Sequence, residues 1–247
     1  MNPGAGEIFR QKRREFDKIL TGLLDGLDRE HYPAPLREAL FTALMVDEAQ
    51  RGLPLLLGVI SEPSRVQPSA RVLAAFECCL RAYLLLAEIG HTGQGSATGG
   101  VGKKLGEKFT PAQVLLTADT LFTWPLELAA AECTLDGKPL SGEIAAALGA
   151  GGVLAALDRA GGSFDSLLGL EPVEFLCRAW AGQGARVFRD AAHWVYLREL
   201  SGWFGAPPGI DRALGKLEEK IFFSRDASDP RQVKVAELIT FLKAPPS

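Results

Sequence analysis

Residues that build reactive sites are scarce in this chain. Its 247 residues include four cysteines, three histidines and two methionines. No two cysteines have CxxC spacing, and no two histidines have HxxxH spacing, so a zinc site is not expected. No Gly-x-Ser-x-Gly pentapeptide of a serine hydrolase is present. We expect free thiols in a reducing compartment. The cysteines are Cys78, Cys79, Cys133 and Cys177.

The chain also lacks long uninterrupted apolar runs and a strong net charge. Glu77, Arg81 and Glu88 break the most apolar segment, which makes a membrane span unexpected. The net charge is −3 and the pI is near 5.7, so bulk charge gives no reason to expect a nucleic-acid partner. The first twenty residues carry charges where a signal peptide has an apolar core. We therefore expect a cytoplasmic protein.

What the sequence does contain is apolar residues at helical spacing, separated by glycine and proline breaks. No run of strict alternation predicts a strand. We predict an all-α fold of eight to ten helices in a single domain over residues 1–247. Its central helices are Ala70 to Ile89 and Val114 to Glu132, with a kink at Pro125. The other predicted helices are Glu7 to Leu27, Leu36 to Gly52, Ile144 to Arg159, Glu171 to Ala181, Ala185 to Leu200, Ile210 to Ser224 and Pro230 to Leu242. Leu53 to Ile60 continues the apolar pattern after Pro54.

A glycine-rich segment, Gly90 to Gly106, follows the first central helix. Within it GGVGKK resembles part of a phosphate-binding loop, in which backbone N–H groups and a lysine hold phosphate. The loop spacing requires glycine where the chain has Ala97, and Ser or Thr where it has Lys104. No strand precedes it either, so the sequence favours a flexible surface loop.

Four segments together resemble the trans-isoprenyl diphosphate synthases of the polyprenyl synthetase family. FTPAQVLLTAD (Phe109 to Asp119) is similar to the family's F-G-x-A-x-x-x-L-x-G-D pattern. AAFECCLRAYLLLAEIG (Ala74 to Gly90) carries Glu77 where the family has A-x-E-x-I-H. DEAQRGLPLLL (Asp47 to Leu57) resembles G-G-K-R-x-R-P-x-L through Arg51 and Pro54, and GARVFRDAA resembles K-T-G-x-L-F through Phe188. The resemblance implies an isoprenoid-synthase-like helical bundle, shortened at its C-terminus.

The same resemblance places the family's chemical positions, and most of them carry other residues here. The first aspartate-rich motif, which binds magnesium and the allylic diphosphate, corresponds to AEIGHTG and keeps only Glu88 as an acid. Arg51 alone remains of the basic residues that hold isopentenyl diphosphate. Asp226 and Asp229 correspond to the second aspartate-rich motif, although a helix cap before Pro230 is the simpler prediction for them. The candidate catalytic residues are Glu88 and Asp119, the candidate metal ligands are Glu88, Asp226 and Asp229, and the candidate diphosphate ligand is Arg51.

These replacements imply a catalytically silent relative, such as a non-catalytic or regulatory subunit or an isoprenoid-binding protein. Ionising an allylic diphosphate requires several magnesium ions, and the remaining acids are too few to hold them. No cofactor is then expected. The alternative is an active prenyltransferase with a rearranged Mg²⁺ site, and a third interpretation is that the likeness is that of any α-helical bundle. Fold alone does not decide between them.

The resemblance also implies a homodimer or a heteromer with an active prenyl synthase, because family members dimerise through the two central helices. Apolar residues cover more than one face of these helices, which favours burial on each side. An isoprenoid-like apolar ligand is the other expected partner. The residues expected to supply the interface are Phe76, Leu80, Tyr83, Leu84, Leu121, Phe122, Trp124 and Leu128.

Overall fold

A computed structural model describes residues 5–45, 51–62, 67–91, 101–134, 137–147, 186–204 and 209–243. Within these ranges the chain forms ten α-helices and no strand, apart from one isolated bridge between Cys133 and Pro139. The predicted all-α fold class is confirmed. The helices are α1 (Ala5–Asp25), α2 (Ala34–Leu44), α3 (Gly52–Ser61), α4 (Ala70–His91), α5 (Val101–Lys108), α6 (Pro111–Leu128), α7 (Leu140–Ala147), α8 (Arg186–Phe204), α9 (Ile210–Phe223) and α10 (Pro230–Lys243).

Helix α4 is the centre of the bundle. It packs most extensively against α6 and also contacts α1, α2, α3 and α8. Helices α9 and α10 pack on α8, and α10 also packs on α3 and α1. All ten helices contribute to one continuous hydrophobic core. No helix in the described part of the chain is both long enough and apolar enough to cross a membrane.

The sequence of α4 explains its central position. From Val72 to Leu85 it contains no glycine or proline, and every residue there is buried except Leu73, which packs partly buried against the core. A helix that is apolar all round must be covered on every side. The two charged residues of this stretch, Glu77 and Arg81, lie one turn apart and are also buried. They therefore need partners inside the bundle.

Helix α6 begins earlier than the predicted start at Val114. The Thr110 hydroxyl accepts a hydrogen bond from the Gln113 backbone N–H at 3.3 Å, and the Gln113 side chain accepts one from the Thr110 N–H at 2.8 Å. This capping box, with Pro111 at the first helical position, starts the helix. Pro125 lies inside the helix, which ends at Leu128 rather than at the predicted Glu132.

The predicted loop at GGVGKK is wrong from Val101 onward, because α5 begins there. Leu105 is only 1% exposed and Phe109 is also buried, so burial of these two side chains outweighs the low helix propensity of Gly102 and Gly106.

Residues 92–100 lie outside the described residues. The predicted helix Glu171 to Ala181 and most of Ile144 to Arg159 also lie outside them.

The predicted helix Leu36 to Gly52 is too long, since α2 ends at Leu44. Arg51 then has φ 57° and ψ 33°, and it is the one non-glycine residue with a positive φ in the described part of the chain. Gly52 follows it and begins α3. A Cβ atom at Gly52 would lie 2.8 Å from Val195 Cγ1, so the backbone approaches α8 too closely for a side chain. Arg51 and Gly52 therefore fix how α3 enters the bundle.

Candidate functional site

Five charged residues from distant parts of the sequence meet beside α4, and we call them the buried charge cluster. Asp17 comes from α1, Glu77 and Arg81 from α4, and Glu199 from α8, while Arg51 directly precedes α3. The side chains of Arg51, Glu77, Arg81 and Glu199 are at most 4% exposed, whereas that of Asp17 is 31% exposed. The cluster thus reaches solvent on the α1 side.

Glu77 links the two arginines through a single oxygen atom. Its Oε1 accepts hydrogen bonds from Arg51 Nη1 at 2.8 Å and from Arg81 Nε at 2.9 Å. Arg81 Nη2 also lies 2.8 Å from the same oxygen. The other oxygen, Oε2, is buried and has no hydrogen-bond partner. One carboxylate therefore holds both guanidinium groups together and retains an unpaired buried acceptor.

Arg51 is surrounded on all sides. Its Nε donates to Asp17 Oδ1 at 2.7 Å, and its Nη2 lies 3.6 Å from the sulfur of Met45. The guanidinium also lies over the Phe16 ring, 5.8 Å from the ring centroid. These contacts hold the side chain in place while the backbone keeps its left-handed conformation, which is unfavourable for arginine.

Arg81 connects α4 to α8. Its Nη2 donates to Glu199 Oε2 at 2.9 Å, and its guanidinium lies over the Trp203 ring at 5.7 Å. The other Glu199 oxygen lies 3.5 Å from the Gly52 backbone nitrogen, at the outer limit of a hydrogen bond. Glu199 therefore faces both α4 and the start of α3.

The cluster contains three carboxylates and two guanidinium groups, which leaves one negative charge in excess. Burial alone would raise the pKa of Glu77, but the attraction of Arg81 and then of Arg51 outweighs burial and lowers the pKa. For Arg81, burial acts to lower the pKa, and the nearby Glu199 and Glu77 carboxylates raise it instead. Both groups are therefore held in their charged forms.

Arg51 was predicted to bind diphosphate, and the structure places it in ion pairs with Asp17 and Glu77. A diphosphate would have to displace these two carboxylates to reach its guanidinium. Such an anion would also meet a cluster that already carries excess negative charge. The geometry suits the anchoring of α1, α3, α4 and α8 to one another.

Among the predicted acidic candidates, Asp119 lies on a different part of the bundle from Asp226 and Asp229. Asp119 lies on the exposed face of α6, a helix that packs mainly on α4, α2 and α7. Asp226 and Asp229 lie in the turn between α9 and α10, helices that pack mainly on α8, α3 and α1. The side chain of Glu88 lies outside the described residues. In the described part of the chain, no three His, Cys, Asp or Glu side chains are arranged to hold a metal ion.

Asp229 caps α10, as the helix-cap alternative predicted, and Asp226 accepts hydrogen bonds within the turn before it. Asp229 Oδ1 accepts a hydrogen bond from the Arg231 backbone N–H at 2.9 Å, immediately before Pro230 begins α10. Its side chain also pairs with the Arg231 guanidinium, and this hydrogen bond lowers the pKa of Asp229. Asp226 accepts from the Ser228 hydroxyl at 2.6 Å and from the Ser228 N–H at 2.8 Å, which lowers its pKa.

The residues expected to form a subunit interface are instead covered within this chain. Phe76, Leu80 and Leu84 on α4 are 0% exposed, and Phe122 packs partly buried against the same core. Tyr83 makes an edge-to-face contact with Phe122, with ring centroids 5.4 Å apart. These side chains pack in the core of a single chain, so their apolar character gives no evidence for a dimer. The other residues expected at the interface are also buried: Tyr83, Leu121, Trp124 and Leu128.

The cysteines within the described ranges, Cys78, Cys79 and Cys133, are free, as predicted. Burial raises the pKa of both Cys78 and Cys79, so neither thiol ionises readily. Cys133 is exposed and lies after the end of α6.

Sequence reasoning missed Asp17, Arg81 and Glu199 as members of a common cluster. One signal was present: Glu77 and Arg81 are charged residues four positions apart in an otherwise apolar helix, a spacing that places them on one face. Buried charges require partners, so further charged residues were implied, but periodicity does not say which helix supplies them.

No family model matches the chain, and no curated protein matches it.

Proposed function

We propose that this protein is a catalytically silent relative of the polyprenyl synthetases that acts by binding, as a non-catalytic or regulatory subunit or as a carrier of an isoprenoid-like chain. The proposal rests on the sequence resemblance together with one observation of the bundle. Arg51 and Glu77, which come from two separate segments of the resemblance, are in direct contact at 2.8 Å.

This contact favours silence over catalysis. In the resemblance Arg51 is the last of the residues that hold isopentenyl diphosphate, and here its guanidinium is occupied by two carboxylates. An incoming diphosphate would face the excess negative charge of the buried charge cluster in a poorly screened interior. The arginine thus contributes to the framework of the bundle, and the chain retains a scaffold without a free basic group at that position.

The activity test is condensation of isopentenyl diphosphate with dimethylallyl, geranyl or farnesyl diphosphate in the presence of Mg²⁺. We expect no product, with an active prenyl synthase assayed in parallel to validate the substrates. Restoring two aspartates by Ala87→Asp and Gly93→Asp should not create activity, since Gln50, Leu53 and Gln183 still replace basic residues of the family pattern.

An active prenyltransferase with a rearranged site is the competing function. It requires that the wild-type protein form product and that Glu88→Gln abolish it. The matched control is Glu237→Gln, an exposed glutamate on α10 that belongs to no candidate site. Product formation lost in the first variant and kept in the second would overturn the proposal of silence.

The subunit role is tested by light scattering on the purified protein, alone and mixed with a prenyl synthase from the same cell. A heteromer or a homodimer is the expected result. A 26.5 kDa monomer in both samples, unchanged at high concentration, would contradict the subunit role and leave isoprenoid binding as the proposed activity. Binding of a farnesyl chain without diphosphate, followed by tryptophan fluorescence, then tests that remaining role.

A further inference from the structure

We draw no further inference here: the strongest candidate, the unpartnered Oε2 oxygen of Glu77 in the buried charge cluster between α4 and α8, belongs to the site already described, and nothing among the described residues shows what would bind it.

Discussion

The buried charge cluster and the turn Asp226–Asp229, which we call the acidic turn, use the same carboxylate chemistry in opposite surroundings. Glu77 is fully buried and shares one oxygen between two arginines. Asp226 and Asp229 each accept a hydrogen bond from the backbone N–H two residues later, that of Ser228 and that of Arg231. In the first region each charge has at least one partner far away in sequence, whereas in the second the partners lie two positions away. Removing a charge should therefore have very different effects in the two regions.

The largest effect is expected for Arg81→Met. It removes the cation that pairs with Glu199 and one of the two cations that pair with Glu77, so that Arg51 alone remains to balance three carboxylates. Breaking a buried pair from one side lowers the free energy of unfolding by about 3–5 kcal/mol. Urea denaturation followed by far-UV circular dichroism measures the loss.

The matched control is Arg212→Met, at an exposed position on α9. This variant should change the free energy of unfolding by less than about 0.5 kcal/mol. Equal losses in the two variants would contradict the role assigned to the buried charge cluster.

A second variant tests whether the loss comes from unpaired charge. Adding Glu199→Gln to Arg81→Met removes the carboxylate that has lost its cation, while Arg51 still pairs with Asp17 and Glu77. The double variant should be more stable than the sum of the single changes predicts, by about 1–3 kcal/mol. Additive losses in the same denaturation experiment would show that Arg81 acts through packing on Trp203 rather than through charge.

The pH dependence of stability sharpens the comparison further. Because the pKa of Glu77 is lower in the folded chain than in the unfolded one, its contribution is present above about pH 4.3 and is lost as the pH falls through the folded pKa. One such group changes the free energy of unfolding by at most about 1.4 kcal/mol per pH unit.

Glu77→Gln should therefore flatten the acid side of the stability curve. It should also destabilise the protein less than Arg81→Met at neutral pH. The cluster then keeps equal numbers of opposite charges, since Arg51 still pairs with Asp17 and Arg81 with Glu199. Denaturation between pH 6 and pH 3 gives both results. An unchanged acid slope would show that Glu77 does not titrate as its surroundings imply.

The smallest effect is expected in the acidic turn. Asp229→Ala removes the side-chain acceptor for the Arg231 N–H and should lower the free energy of unfolding by about 1 kcal/mol. Asp229→Asn keeps an acceptor at the same place and should remain within a few tenths of wild type. The pair is compared by thermal denaturation. If Asp229→Asn were as damaging as Asp229→Ala, the ion pair with Arg231 and not the cap would be the stabilising contact.

Local signals in the sequence predict much of this bundle. Helical periodicity gives α4 and the positions of α8 to α10, and Asp229 followed by Pro230 predicts the start of α10 correctly. Predictions that depended on distant contacts were less successful. Helix α5 forms where glycines indicated a loop, because Leu105 finds a place in the core formed by other helices. The rest of the buried charge cluster could not be read from periodicity either, since Asp17, Arg51 and Glu199 come from three other parts of the chain.

The backbone and the side chain of Arg51 place opposing requirements on the amino acid at this position. Its backbone, at φ 57°, favours glycine or asparagine, whereas its side chain must supply a guanidinium to Asp17 and Glu77. No natural amino acid meets both requirements without strain. In a saturation screen of single substitutions, position 51 should therefore tolerate few replacements. Those that relax the backbone would lose the charge, and lysine would keep the charge without the planar, forked geometry.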